Sequence, residues 1–133
     1  MKVLILNSGL GKRMGGLTSG HPKCMTKIDE SETILSYQLK YLQQCGAREI
    51  IMTTGYHDQI LVNYCNSLDL ALKYVFVKNP IYDKTNYIYS IYLARKFLDD
   101  NILLLHGDII FDLSILQDML KQSVSCMAVS STT

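Results

Sequence analysis

Between Leu6 and Ile28 the chain reads LNSGLGKRMGGLTSGHPKCMTKI, and this segment gathers the residues best suited to chemistry. Gly9 and Gly11 follow a short apolar run, Lys12 and Arg13 share their turn, and Lys23 stands ten residues beyond Arg13. Glycines let a backbone approach a polyphosphate and point successive N–H groups at it, while Lys and Arg neutralise its charge. The segment therefore suits an anion. A glycine-rich surface turn with incidental cations would account for Gly-x-Gly alone equally well, so the wider pattern must decide.

Two common phosphate loops do not fit. A dinucleotide fingerprint needs a third glycine where Met14 stands, and an acidic residue closing the second strand, which Glu49 to Thr54 does not supply. A P-loop needs glycine at Leu6 and Ser or Thr at Arg13. What the segment resembles is the signature loop of the nucleotidyltransferase superfamily, broadly L-A-A-G-x-G-x-R-M-x-P-L-T, three residues, then P-K. The Arg13 to Lys23 step, the Leu17-Thr18 pair and Pro22 all match; Asn7-Ser8 replaces the usual two alanines, and Gly16 a frequent proline.

The resemblance implies that Arg13 and Lys23 grip a triphosphate and stabilise charge at its α-phosphorus, with Lys12 assisting. It implies that the backbone of Leu6, Asn7, Ser8, Gly9 and Gly11 lines the nucleotide, and that Asp108 binds Mg²⁺. Asp108 follows an apolar strand, where a carboxylate can meet a polyphosphate and a hard cation; alone, the Gly-Asp pair would read as a turn or cap. His106 suits a packed, hydrogen-bonded histidine better than a ligand or base, and Asp112 suits the cap of a following helix.

A second stretch, NPIYDKTNYIYSIYLA from Asn79 to Ala94, is similar to the corresponding region of bacterial choline-phosphate cytidylyltransferases and their phosphonate-activating relatives. The Gln-rich, Pro-Gly-Ala segment of sugar-1-phosphate nucleotidyltransferases is missing there, which makes those enzymes the alternative. The resemblance makes Asn86 and Ser90 the candidates for reading the nucleobase and CTP the favoured nucleoside triphosphate. Tyr82, Tyr87, Tyr89 and Tyr92 could offer ring faces to a quaternary ammonium, or pack the helix instead. The implied reaction is in-line attack by the phosphate of a small-molecule acceptor, of phosphocholine or phosphonate type, on the α-phosphorus, with pyrophosphate leaving. An acceptor phosphate is already ionised at neutral pH, so no general base is required and electrostatics can carry the acceleration.

These residues need a scaffold, and the hydrophobic pattern predicts one. Val3 to Leu6 is a continuous apolar run, as in a strand buried on both faces. Thr33 to Gln44 predicts a helix with Ser31 as N-cap, Ile34, Leu35, Leu39 and Leu42 inward, and Gly46 beyond its end. Strands follow at Glu49 to Thr54, Lys73 to Val77, Asn101 to Leu105 and Ser125 to Ser130. Helices come between them at Asp58 to Asn66 (Ile60, Leu61 and Tyr64 inward), Asn86 to Leu98 (Ile88, Ile91, Tyr92 and Ala94 or Arg95 recurring) and Leu113 to Gln122. Alternation of this kind predicts an α/β, Rossmann-like three-layer sandwich on a mostly parallel sheet, with ligands at the carboxyl ends of the strands. The resemblance narrows it to the glycosyltransferase-A-like nucleotidyltransferase fold, truncated at the carboxyl end, residues 1–133 forming the nucleotide-binding part of one domain.

The 133 residues are 48% hydrophobic and 19% charged, enough for one core. A formal charge of +1 implies no broad attraction to nucleic acid or to an anionic membrane. Cys24, Cys45, Cys65 and Cys126 form no metal-binding spacing and read as reduced thiols in a cytoplasmic protein. The apolar start is too short for an export signal, and no run approaches the roughly eighteen residues of a membrane span. An apolar patch where further family strands would sit could drive homo-oligomerisation. A nucleotide-binding module without turnover is the alternative of another class.

Overall fold

The computed structural model describes residues 2–7, 23–55, 58–81, 84–85, 87–99, 101–107 and 113–121. Strand β1 (Lys2–Leu6) is central because its apolar run serves two cores at once: Val3 and Ile5 join one cluster, Leu4 and Leu6 the other. All four are buried, and truncating such a side chain to alanine costs about 2–5 kcal/mol. Parallel neighbours flank it, β2 (Glu49–Thr54) through Val3↔Ile50 and β4 (Ile102–His106) through Leu6↔His106. Strand β3 (Lys73–Lys78) pairs with β2, giving the parallel order β3-β2-β1-β4.

Helices α1 (Ile34–Gln44), α2 (Asp58–Ser67) and α4 (Leu113–Leu120) contribute Leu35, Leu39, Leu42, Leu61, Cys65 and Leu116 to the core on one face. Helix α3 (Tyr87–Leu93) and the 3-10 turn Arg95–Phe97 cover the other through Ile91, Ala94 and Phe97. Right-handed crossovers place α1 and α2 on one face and α3 on the other, since β1 to β3 steps one way across the sheet and β4 lies on the opposite side of β1. The three-layer α/β sandwich is as expected; the strand expected at Ser125 to Ser130 lies outside the described residues.

Local expectations are corrected at three places. The N-cap of α1 is Thr33: its Oγ1 accepts from Ser36 N–H at 3.0 Å, and Ser36 Oγ accepts from Thr33 N–H at 2.9 Å. Ser31, the expected cap, instead donates its N–H and hydroxyl to Asp29 Oδ1. In α2, Ile60 is exposed and Cys65 takes the inward position, where burial pushes its thiol pKa up to about 12. In α3, Ile88 and Tyr92 face outward and Ser90 is fully buried, while Ala94, just beyond the helix, is buried in keeping with its spacing. Gly46 does close α1 as expected, at φ +87°, a conformation that glycine adopts without strain.

Candidate functional site

In a doubly wound sheet, ligands collect where strand order reverses, because the loops from two neighbouring strands diverge there and leave a crevice. Here that point lies between β1 and β4. Asn7 follows β1 and Gly107 follows β4, and the Gly107 N–H donates to Leu6 O at 3.0 Å. From Asn7 the chain passes into the Gly-Lys-Arg segment, and from Gly107 into Asp108. Ser8, Gly9, Gly11, Lys12, Arg13, Asn86 and Asp108 themselves lie outside the described residues.

Buried polar side chains hold this edge. Thr53 Oγ1, on β2, accepts the Asn7 N–H at 3.1 Å, and Gln38 Nε2, on α1, donates to His106 O at 3.0 Å. Lys23 opens the 3-10 turn Lys23–Met25, whose next residue, Cys24, is packed in the core. From there Thr26 O accepts the Ile34 N–H at 3.0 Å, and Lys27 bridges Thr33. Asp29 stiffens the connection, its carboxyl held below the usual range by the N–H groups of Ser31 and Glu32. The backbone of Lys23 is thereby tied to the start of α1.

Asn7 is only 8% exposed. Neither its side-chain Oδ1 nor its Nδ2 has a hydrogen-bond partner among the described residues. It lies against Gly107: a Cβ there would fall 1.6 Å from Asn7 Oδ1 and 2.8 Å from its Cγ. Glycine is thus the residue that leaves room for this carboxamide.

A second polar centre lies at the end of β3. Asn79 Nδ2 donates to Thr85 Oγ1 at 2.9 Å and to Ser90 Oγ at 3.1 Å, and its Oδ1 accepts the Ile81 N–H at 3.0 Å. Its own N–H donates to Thr54 O at 2.7 Å. Ser90, a candidate base reader, is thus fully buried and engaged in anchoring α3. Asn79, Gln38 and Thr53 were not singled out from the sequence, although Gln38 is a polar residue at core spacing in α1 and Asn79 closes a strand before proline.

Of the tyrosines, Tyr87 is half exposed and meets the His106 ring edge-on at 5.4 Å. Tyr92 is exposed, with the Arg95 guanidinium 3.9 Å from its ring centre, so a cation of the protein already covers one face. Among the described residues no three His, Cys, Asp or Glu side chains cluster as a metal site. No described helix is long and apolar enough to cross a membrane.

The profile of the MobA-like NTP transferase domain matches residues 3–132. The chain belongs to that family. It is 31% identical over 117 residues to the CMP-5'-(3-aminopropyl)phosphonate synthase of Streptomyces rubellomurinus, covering 88% of this chain and 18% of that protein. It is 29% identical over 127 residues to the CTP:phosphoglutamine cytidylyltransferase of Campylobacter jejuni, covering 91% and 49%. The solved structure of the CTP:phosphocholine cytidylyltransferase from Streptococcus pneumoniae superposes with a TM-score of 0.68 at 30% identity, over 80% of this chain and 44% of that one. This member of the MobA-like family thus spans less than half of each of these relatives.

Proposed function

We propose that this chain is the nucleotide-binding part of a nucleotidyltransferase that moves CMP from CTP to a phosphorylated small molecule, with release of pyrophosphate. The observation that carries the reading is the meeting of Asn7 and Gly107 at the β1/β4 crevice. It brings the two chain segments that lead to Arg13 and Asp108 to one point of the sheet edge. One relative named for CTP and phosphoglutamine, and another named for a CMP-phosphonate product, favour CTP.

In this reading Arg13 and Lys23 neutralise the triphosphate and the charge that builds at the α-phosphorus, while backbone N–H groups of Leu6 to Gly11 line the nucleotide. The acceptor phosphate attacks in line, and the oxygen bridging to the β-phosphorus leaves with pyrophosphate. Both reactants are anions, so screening their repulsion and fixing their approach supplies the acceleration. Asp108 would supply a hard carboxylate oxygen to Mg²⁺, which when bound would neutralise phosphate charge. Asn86, shortly before the anchored Ser90, is the candidate for contact with the base.

The test is Mg²⁺-dependent pyrophosphate release from each nucleoside triphosphate, with phosphocholine, aminoalkylphosphonate and sugar-1-phosphate acceptors. CTP with one of the first two is the expected pair. Lys23→Ala is expected to lower the rate about 10²- to 10³-fold with an unchanged circular dichroism spectrum. Full activity in that variant removes Lys23 from the site, and release only with a sugar-1-phosphate turns the reading to the sugar enzymes. Nucleotide binding without release in any combination makes the chain a binding module.

A further inference from the structure

We infer that the Asn7 carboxamide is a specificity-determining group that hydrogen-bonds the bound nucleotide through a neutral edge, base or ribose, rather than through its phosphates. This rests on the nucleotidyltransferase reading of the site.

Burying an amide with neither atom satisfied costs free energy that folding does not return, and native proteins leave few such groups. Asn7 is such a group, and its surroundings are arranged to keep it. Its backbone N–H is fixed by Thr53 Oγ1 at 3.1 Å. Its side chain runs across the gap between β1 and β4 into the space that a Gly107 side chain would fill. The amide is therefore held at the point where the strand order reverses, with a donor nitrogen and an acceptor oxygen to offer.

That pairing of atoms selects among the parts of a nucleotide. Phosphate oxygens are acceptors only, so a phosphate could satisfy Nδ2 but would set negative charge against Oδ1. A nucleobase edge or a ribose hydroxyl both donates and accepts, and can satisfy both atoms. The signature loop that this segment resembles has alanine here, so the contact adds to what the loop backbone supplies and can differ between members.

Calorimetric titration of the full 133-residue chain in Mg²⁺ at one salt concentration provides the test, with CTP, UTP, 2'-deoxy-CTP and inorganic tripolyphosphate. Asn7→Ala is expected to weaken CTP about tenfold and to leave tripolyphosphate unchanged. Loss of the CTP-over-UTP preference in the variant assigns the contact to the base; loss of the CTP-over-deoxy-CTP preference assigns it to the ribose. Gly107→Ala, which displaces the same amide, is expected to weaken CTP equally, and the double variant no further. This second variant carries the test if Asn7→Ala fails to fold. Unchanged CTP affinity in both variants, or an equal loss for tripolyphosphate, overturns the inference while the functional reading stands. A wild-type chain that binds no nucleotide overturns both.

Discussion

Two buried asparagines stand at the carboxyl edge of one sheet, and they are treated oppositely. Asn79, after β3, uses both side-chain polar atoms, reaching Thr85, Ser90 and Ile81. Asn7, after β1, has no described partner for either. Burial is similar, at 1% and 8% exposed, so solvent does not account for the difference. A buried amide that closes its hydrogen bonds within the fold defines architecture; one left open at the reversal point of strand order is available to a ligand.

The largest effect expected from this contrast is on stability at Asn79. Asn79→Ala withdraws two donors and an acceptor and strands the buried ends of β3 and α3 that they join. Urea unfolding is expected to show a loss of about 2–3 kcal/mol. A loss below about 0.5 kcal/mol would mean that the Asn79 network is incidental, and the contrast with Asn7 would fail.

At Asn7 the sign should reverse. Asn7→Leu preserves much of the volume and removes two unpaired polar atoms, so the same titration should show unchanged stability or a gain of up to about 1 kcal/mol. A gain in stability with weaker nucleotide binding is the usual signature of a residue kept for function at the expense of the fold. A loss like that at Asn79 would show that the carboxamide has a structural partner.

The sheet was legible in the sequence because apolar runs such as Val3 to Leu6, and Ile50 to Met52 within Glu49 to Thr54, report strands buried on both faces, and those strand boundaries stand to within a residue. The signature that follows the first strand begins beside the reversal of strand order between β1 and β4. Less legible were the positions where a polar side chain decides the geometry. Helical spacing groups Ile88, Ile91 and Tyr92 with Ala94 or Arg95, and Ala94 is buried, yet Ile88 and Tyr92 are exposed and Ser90 is buried in their place. The rotation of α3 is set by the Asn79–Ser90 hydrogen bond, a contact across eleven residues that periodicity cannot register. Gln38 was missed for the same reason: its partner, the carbonyl of His106, lies 68 residues away. The roles of Arg13, Asn86 and Asp108 rest on resemblance, since those residues lie outside the described ones.

Tyr74 sharpens the comparison with the smallest effect. Its hydroxyl is a buried atom with no partner among the described residues, like the Asn7 amide, but it sits on β3 against the core, stacked on Phe76. If position and not mere lack of a partner marks a ligand contact, Tyr74→Phe should leave nucleotide affinity unchanged and alter stability by less than about 1 kcal/mol at neutral pH. Its signature should appear in alkali. Burial, with the nearby Cys65, raises the phenol from 10.0 to about 12. A folded-state pKa above the unfolded one contributes stability that is fully present below the unfolded value and lost as pH climbs through the folded one. Wild-type stability should therefore decline between about pH 10 and 12, and Tyr74→Phe should decline less steeply. Cys65, raised from 9.0 to about 12 by burial, retains its own slope in both proteins. Weakened nucleotide binding in Tyr74→Phe would mean that an unpaired buried polar atom affects the site wherever it sits, and Asn7 would lose its distinction.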